Sequence, residues 1–298
     1  MDQEYLTLFM NSDLNYKTDG IEVWNNFINI DTIQKIVKKI DGFYERGDNL
    51  GPAVNIASLT KEELYTYGAA RIEAQKKNKN FFLKKNDISK GVEHFKNLTN
   101  GISIIDPLCH INEIKEIILN EKILNFAKKQ LETNEIYVGY VKLRRFFIND
   151  LPDFDTNYFH YDDNCEKILK CIVYLSDIET IDDGPFVYVK KSKNNRLASN
   201  NDENIYVRSD DEIKKYYDKQ NIYPAIGKSG TVVFADTLGF HKGLKPKKKE
   251  RNVLYINYVC EEEYGGKGQK PKISKAIYEQ TEKYKNLFKY FEISNIQS

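Results

Sequence analysis

The sequence predicts a mainly β domain, an antiparallel sandwich or barrel, with a helical first third. Two observations carry this. Residues 136–260 contain five short runs rich in aromatic and β-branched residues, separated by turn residues. Residues 1–134 instead place apolar residues at helical spacing. Short strands punctuated by turns argue against a parallel α/β sheet.

Asp19-Gly20 marks a turn, and Ile21-Glu22-Val23-Trp24 a short extended piece. Asp31 is placed to cap a helix whose apolar face is Ile33, Ile36, Val37 and Ile40, ending at Gly42. Thr60 to Glu63 has the form of a capping box. Ile114, Ile117, Ile118, Ile123, Leu124, Phe126 and Ala127 give residues 111–131 a helical period. The five strand runs are 136–148, 168–176, 186–189, 231–235 and 251–260. Between the third and fourth lies a long polar stretch, about 190–228, with a helix near Asp210 to Lys219. An insertion of that length is often a lid or binding loop. Gly265 to Gly268 reads as a hinge, and Ile273 to Phe291 as a final amphipathic helix packed on the core. The organisation expected is one domain: a helical part to residue 134, a β core over 135–262, and a C-terminal helix over 263–298.

The composition bounds the function. Of 298 residues, 41% are apolar, enough for a sizeable core, and the net charge is +1. That balance gives no reason to expect a nucleic-acid or membrane-surface partner. Four cysteines, Cys109, Cys165, Cys171 and Cys260, form no C-x-x-C pair and read as reduced thiols of a cytoplasmic protein. The opening Met1-Asp2-Gln3-Glu4 is too polar for a secretory signal.

Only four histidines occur, at 94, 110, 160 and 241. His94 and His110 have no companions at ligand spacing and read as ordinary histidines. His160 and Asp162 are two residues apart in an extended segment, so both side chains fall on one side, where they can grip one metal ion. They could instead form a structural hydrogen-bonded pair. His241 follows the 231–235 strand after a short loop. Two imidazoles and one carboxylate make a facial triad, leaving positions for a chelating keto acid and O2. Arg251 comes ten residues later, opening the next strand. Its guanidinium suits the far carboxylate of 2-oxoglutarate, although the basic run around it also allows a solvated charge. On the 136–148 strand, Gly139, Val141, Leu143, Arg145 and Phe147 form the more apolar face and are expected to point inward. Arg145 would then be a buried charge needing a keto acid, an anionic substrate or a core carboxylate as partner. Lys170 and Tyr174 share one face of the 168–176 strand, within expected reach of the co-substrate. Tyr161 and Asp163 flank the ligand pair at the expected substrate mouth, near Arg196.

This order of strand, H-x-D, strand, Asp183-Gly184-Pro185 turn, insertion, Gly230-led strand, His241 and Arg251 resembles the phytanoyl-CoA dioxygenase family of iron and 2-oxoglutarate oxygenases. Asp19-Gly20-Ile21, Asn26-Phe27-Ile28, Leu175-Ser176-Asp177-Ile178 and Phe186 extend the resemblance over most of residues 15–260. It implies a double-stranded β-helix, or jelly roll. It implies Fe(II) held by His160, Asp162 and His241, with 2-oxoglutarate held by Arg251 and O2 as co-substrate. It also implies hydroxylation of a small, polar or anionic molecule with release of succinate and CO2. Related halogenases lack the carboxylate, so Asp162 points to hydroxylation or a similar oxidation. The chain departs from the family at Lys190-Lys191-Ser192-Lys193, where a Pro-Gly-Ser-His-like turn is usual. Two other readings stay open: a cupin-like metalloenzyme without a keto acid, which would want more histidines near His160, and a non-catalytic jelly-roll binding protein.

Overall fold

Among the described residues, eleven strands form two antiparallel sheets. The computed structural model describes residues 14–65, 68–162, 167–193, 207–260 and 270–296. The larger sheet runs β1 (Ile21–Trp24), β9 (Val232–Ala235), β5 (Ile168–Tyr174), β11 (Arg251–Val259), β3 (Tyr137–Phe146), β2 (Gly101–Ile104). The smaller runs β7 (Val207–Arg208), β4 (Phe159–His160), β10 (His241–Gly243), β6 (Phe186–Val189), β8 (Ile222–Ala225). From β3 onward the chain shuttles between the sheets. The order β9-β5-β11-β3 against β4-β10-β6-β8 is the double-stranded β-helix, or jelly roll.

Helices over residues 30–46 and 113–131 cover the outer face of the larger sheet. Helix α1 (Ile30–Arg46) is capped by Asn29, whose side chain accepts from Asp31 N–H, so Asp31 is not itself the cap. It runs through Gly42 and stops at Gly47, whose φ of 67° suits glycine. Its Ile33, Ile36, Ile40 and Phe43 are buried, and each such side chain contributes roughly 1.5–3 kcal/mol of transfer free energy. The 111–131 segment is two helices, α2 (Glu113–Ile118) and α3 (Glu121–Leu131), because Asn120 caps the second at Lys122 and Ile123 N–H. The capping box at Thr60 and Glu63 is present.

This layering reverses the expected faces of β3. Val141, Leu143 and Phe147 join the core beneath the helices, whereas Tyr140, Lys142, Arg144 and Phe146 line the barrel. A strand between a helical layer and a polar cavity turns its apolar face to the helices. Arg145 therefore lies outside the barrel. It pairs with Asp41 of α1, donates to Asn252 Oδ1 at 2.9 Å and stacks 4.3 Å over Tyr44. Arg145 does pair with a carboxylate rather than enter the cavity, but Asp41 is half-exposed and not a core residue.

Two other expectations change. The described part of the 190–228 stretch is not a lid over the barrel. It supplies core strand β8 and helix α4 (Asp210–Tyr216), whose Ile213 packs with Phe159, Val187 and Phe240 on the outer face of the smaller sheet. The final segment is not one helix. It comprises β12 (Lys272–Ser274), a short helix Lys275–Glu279, a 3-10 stretch Glu282–Phe288 and β13 (Glu292–Ser294), with Tyr284 outside helical geometry. Its apolar positions still reach the core through Ile273, Ile277, Leu287, Phe288 and Phe291. Cys165, Asp163, Arg196 and the Gly265–Gly268 hinge lie outside the described residues; Cys109 and Cys171 are buried free thiols, and Cys260 is also buried.

Candidate metal centre

His160 and His241 face each other across the β4–β10 ladder as a register pair, with ring centroids 4.3 Å apart. The segment after β4 brings Asp162 in beside them, fixed by its backbone N–H donating to Thr237 O at 2.8 Å. The three side chains are buried, and their ligand atoms lie within 4.8 Å of one another.

Backbone carbonyls orient both rings. His160 Nδ1 donates to Tyr158 O at 2.9 Å, and His241 Nδ1 to Gly239 O at 2.9 Å. Each neutral ring then presents an unprotonated Nε2 to the shared space, the tautomer a metal needs. Burial lowers the pKa of His160, and burial followed by the neighbouring His160 lowers that of His241 well below the usual range. Burial alone would raise the pKa of Asp162, but Lys170 and the two imidazoles hold it well below the carboxylate range. The site is thus two neutral nitrogens and one anionic oxygen. His241 Nε2 is buried without a hydrogen-bond partner. Such an atom costs free energy unless something else satisfies it, and a metal ion at the shared centre would do so.

The supports of His241 include residues that the sequence did not single out. Ser192, in the Lys190–Lys193 turn that departs from the expected motif, donates to Val189 O at 2.6 Å and accepts from Phe240 N–H at 2.7 Å. Tyr188 Oη donates to Asp236 O at 2.8 Å beneath the same loop. Gly239 is required there, because a Cβ would sit 2.1 Å from Tyr188 Oη and 2.8 Å from Ser192 Oγ. No local sequence pattern marks these contacts, which join segments about fifty residues apart.

The triad opens on a cavity of about 90 Å³ between the sheets. Arg251 lies at one end of it, 1% exposed, with its guanidinium 4.1 Å over the Phe146 ring. Its Nε and Nη2 are buried without hydrogen-bond partners. Gly243, two residues beyond His241, lies alongside it: a Cβ there would make ordinary van der Waals contact with Arg251 Nη2 at 3.5 Å. A buried guanidinium with two idle donors, one short strand from the triad, fits a carboxylate that arrives with the metal.

Lys170 and Tyr174 both line the cavity, but each already has a partner. The Lys170 ammonium pairs with Asp162 Oδ2, and this interaction keeps its pKa above the lysine range although burial opposes that. Tyr174 Oη donates to Ala225 O at 2.7 Å and accepts from Phe186 N–H at 3.2 Å. Tyr161 stacks edge-on against Phe240 on the outer side of the smaller sheet. His94 and His110 lie away from the triad, His94 by Asp87 and His110 against Phe43.

No protein-family model and no curated protein matches the chain. Solved structures do. SnoN, described as a non-haem alpha-ketoglutarate-dependent epimerase from nogalamycin biosynthesis, superposes with a TM-score of 0.52 at 12% identity, covering 87% of this chain and 84% of that chain. This chain shares its fold. SnoN has also been crystallised with Fe3+, alpha-ketoglutarate and nogalamycin RO; that structure matches at a TM-score of 0.51 and 11% identity, with 87% and 84% coverage. SnoK, a non-haem alpha-ketoglutarate-dependent carbocyclase from nogalamycin biosynthesis, matches at 0.52 and 11%, covering 87% of this chain and 83% of that chain.

Proposed function

We propose that this protein is an Fe(II)- and 2-oxoglutarate-dependent oxygenase that hydroxylates a small, polar or anionic molecule. The observation that carries the reading is the pairing of an unpartnered His241 Nε2 in a buried His160–Asp162–His241 triad with an unpartnered Arg251 at the end of the same cavity. His160, Asp162 and His241 would hold the iron, and Arg251 the distal carboxylate of 2-oxoglutarate. When bound, iron, O2 and the keto acid supply the oxidising power, with succinate and CO2 as co-products.

The chain's own residues bind, orient and exclude water. Tyr158 O and Gly239 O fix the imidazoles by accepting from Nδ1, so both remain neutral donors. Lys170 engages Asp162 Oδ2 and favours coordination through the other carboxylate oxygen. Ile172, Phe186 and Val253 supply apolar cavity wall that limits water around the reacting centre. The jelly-roll fold and the triad support a likeness to the phytanoyl-CoA dioxygenase-like enzymes. SnoN and SnoK catalyse an epimerisation and a carbocyclisation on this fold, so fold alone does not select hydroxylation.

A cytoplasmic location fits the buried free thiols of Cys109 and Cys171, and among the described residues no helix is long and apolar enough to cross a membrane. The test is succinate release from 2-oxoglutarate across a metabolite panel, with and without Fe(II) under air. Release that needs both iron and a particular metabolite supports the proposal. A metal-dependent activity indifferent to 2-oxoglutarate favours the cupin-like alternative. No metal or keto-acid binding at all favours the non-catalytic one.

A further inference from the structure

Two cations in the cavity have no task in that scheme. Lys142 and Arg144 alternate with Tyr140 and Phe146 along the barrel face of β3, and all four line the cavity with His160 and His241. Among the described residues neither forms an ion pair. The nearby carboxylate of Asp155 is engaged by Arg71. Arg144 Nε is buried without a hydrogen-bond partner, and its guanidinium rests 4.6 Å over the Phe146 ring that Arg251 also contacts.

Charge accounting isolates this pair. Lys142, Arg144, Lys170 and Arg251 line the cavity, and the triad contributes one carboxylate, Asp162. Lys170 is matched by Asp162. A metal dication and a keto-diacid dianion sum to zero, so four cationic side chains against one carboxylate leave three in excess; the distal carboxylate of the dianion gives Arg251 an ion-pair partner without removing that excess. Lys142 and Arg144 remain without counter-charge, and partly desolvated cations without counter-charge are unfavourable until an anion arrives. At the backbone they stand on other levels of the sheet than the co-substrate anchor, although the Arg144 guanidinium reaches the Phe146 ring beside Arg251. Arg144 stands opposite Val253 and Lys142 opposite Tyr255. At ~3.4 Å per residue these levels lie about 7 and 14 Å along β11 from Arg251. Arg251 is buried, Arg144 is half-buried and Lys142 is accessible to solvent, so the two cations lie toward the open side.

We propose that Lys142 and Arg144 form an anion-binding subsite for the primary substrate, which is a small organic anion carrying a carboxylate or a phosphate-like group. This rests on the function proposed above and narrows its substrate class. A guanidinium and an ammonium side by side favour such a group through charge-assisted hydrogen bonds, while the cavity's aromatic walls take the organic body.

Calorimetric titration of the Mn(II)-loaded protein, anaerobically and saturated with 2-oxoglutarate, tests it. Sulfate serves as the tetrahedral probe and formate as the carboxylate. Wild type binds at least one of them, and the preferred one tells which group the substrate carries. Lys142→Gln and Arg144→Gln each weaken that binding about tenfold or more, the effect of losing a charged hydrogen bond. Arg144→Lys, which keeps the charge, loses less than Arg144→Gln. In all three variants the affinity for 2-oxoglutarate changes less than about threefold, and far-UV circular dichroism is that of wild type. Probe binding that is absent in wild type or unchanged in the variants overturns the proposal. So does an Arg144→Gln variant that loses 2-oxoglutarate as Arg251→Gln does, since Arg144 would then belong to the co-substrate. If wild type binds no 2-oxoglutarate, the oxygenase reading fails separately, and the probe titrations on the Mn(II)-loaded protein still decide the subsite.

Discussion

Replacing Arg251 by Met is expected to move stability and ligand affinity in opposite directions. Met removes the charge and keeps most of the volume. In the ligand-free protein Arg251 is 1% exposed and leaves Nε and Nη2 without hydrogen-bond partners. Each unsatisfied donor costs about 1–3 kcal/mol. The contact with Phe146, 4.1 Å from guanidinium to ring centroid, returns about 2 kcal/mol when desolvated. Burial also lowers the pKa of this guanidinium, the sign expected of a cation held in an unfavourable place. The net gain from Met is about 2 kcal/mol, a rise of a few degrees in melting temperature for a chain of this size. The loss on the other side is larger. Two parallel hydrogen bonds to a carboxylate, at about 1.5–3 kcal/mol each, amount to a 10²- to 10⁴-fold weaker grip on 2-oxoglutarate. Thermal unfolding of the metal-free protein and calorimetric titration of the Mn(II)-loaded protein read the two effects. An Arg251→Met protein that melts several degrees lower while binding 2-oxoglutarate as wild type does would refute the reasoning, because Arg251 would then be a structural cation.

Further outcomes follow from the same geometry. Lys170→Met leaves the buried Asp162 carboxylate without its ammonium, so the metal-free protein should lose about 3–5 kcal/mol in urea unfolding, most of it recovered on adding Mn(II). Equal loss with and without metal would argue against Asp162 as a ligand. Gly239→Ala forces a Cβ to 2.1 Å from Tyr188 Oη. The expected cost is about 1–3 kcal/mol, with weaker metal binding because Gly239 O orients His241; equilibrium dialysis checks the second effect. Enclosure by the barrel walls, then the neighbouring Arg144, pushes the Lys142 pKa from 10.5 down to about 8 even though its side chain borders the open cavity, against the opposing pull of Asp155, with Arg71 and Lys170 also facing it. Lys142 is therefore charged at pH 7 and loses its proton as pH rises through about 8. Sulfate or formate binding should weaken from pH 7 to 9, and Lys142→Gln should flatten that dependence. The folded chain binds fewer protons than the unfolded one between about 8 and 10.5, so this group makes stability rise with pH in that window.

Much of the larger sheet was legible because its strands are long and apolar. The 251–260 run reads as a strand on composition alone, and β11 follows it to within one residue. The smaller sheet was less so: β4 has two residues and β10 three, too few for any periodicity. Yet those two strands hold the histidines, which were found through residue type and spacing instead. Helix boundaries shifted wherever a cap outranked the first plausible breaker, as with Asn29 over Asp31 and Gly47 over Gly42. The faces of β3 were misjudged because alternation identifies two faces without saying which adjoins the cavity. In this fold the apolar face meets the helices, and the cations of the other face carry recognition. That exchange moved Arg145 out of the site and brought Lys142 and Arg144 in. Ser192 and Tyr188 were invisible because their roles depend on contacts between distant loops.

Crystals grown anaerobically with Fe(II) and measured on both sides of the iron absorption edge test the central claim most directly. The account predicts one anomalous peak between the sheets, bonded to His160 Nε2, His241 Nε2 and one carboxylate oxygen of Asp162, with Lys170 on the other oxygen. An iron peak elsewhere, or an empty triad at saturating metal, would contradict it.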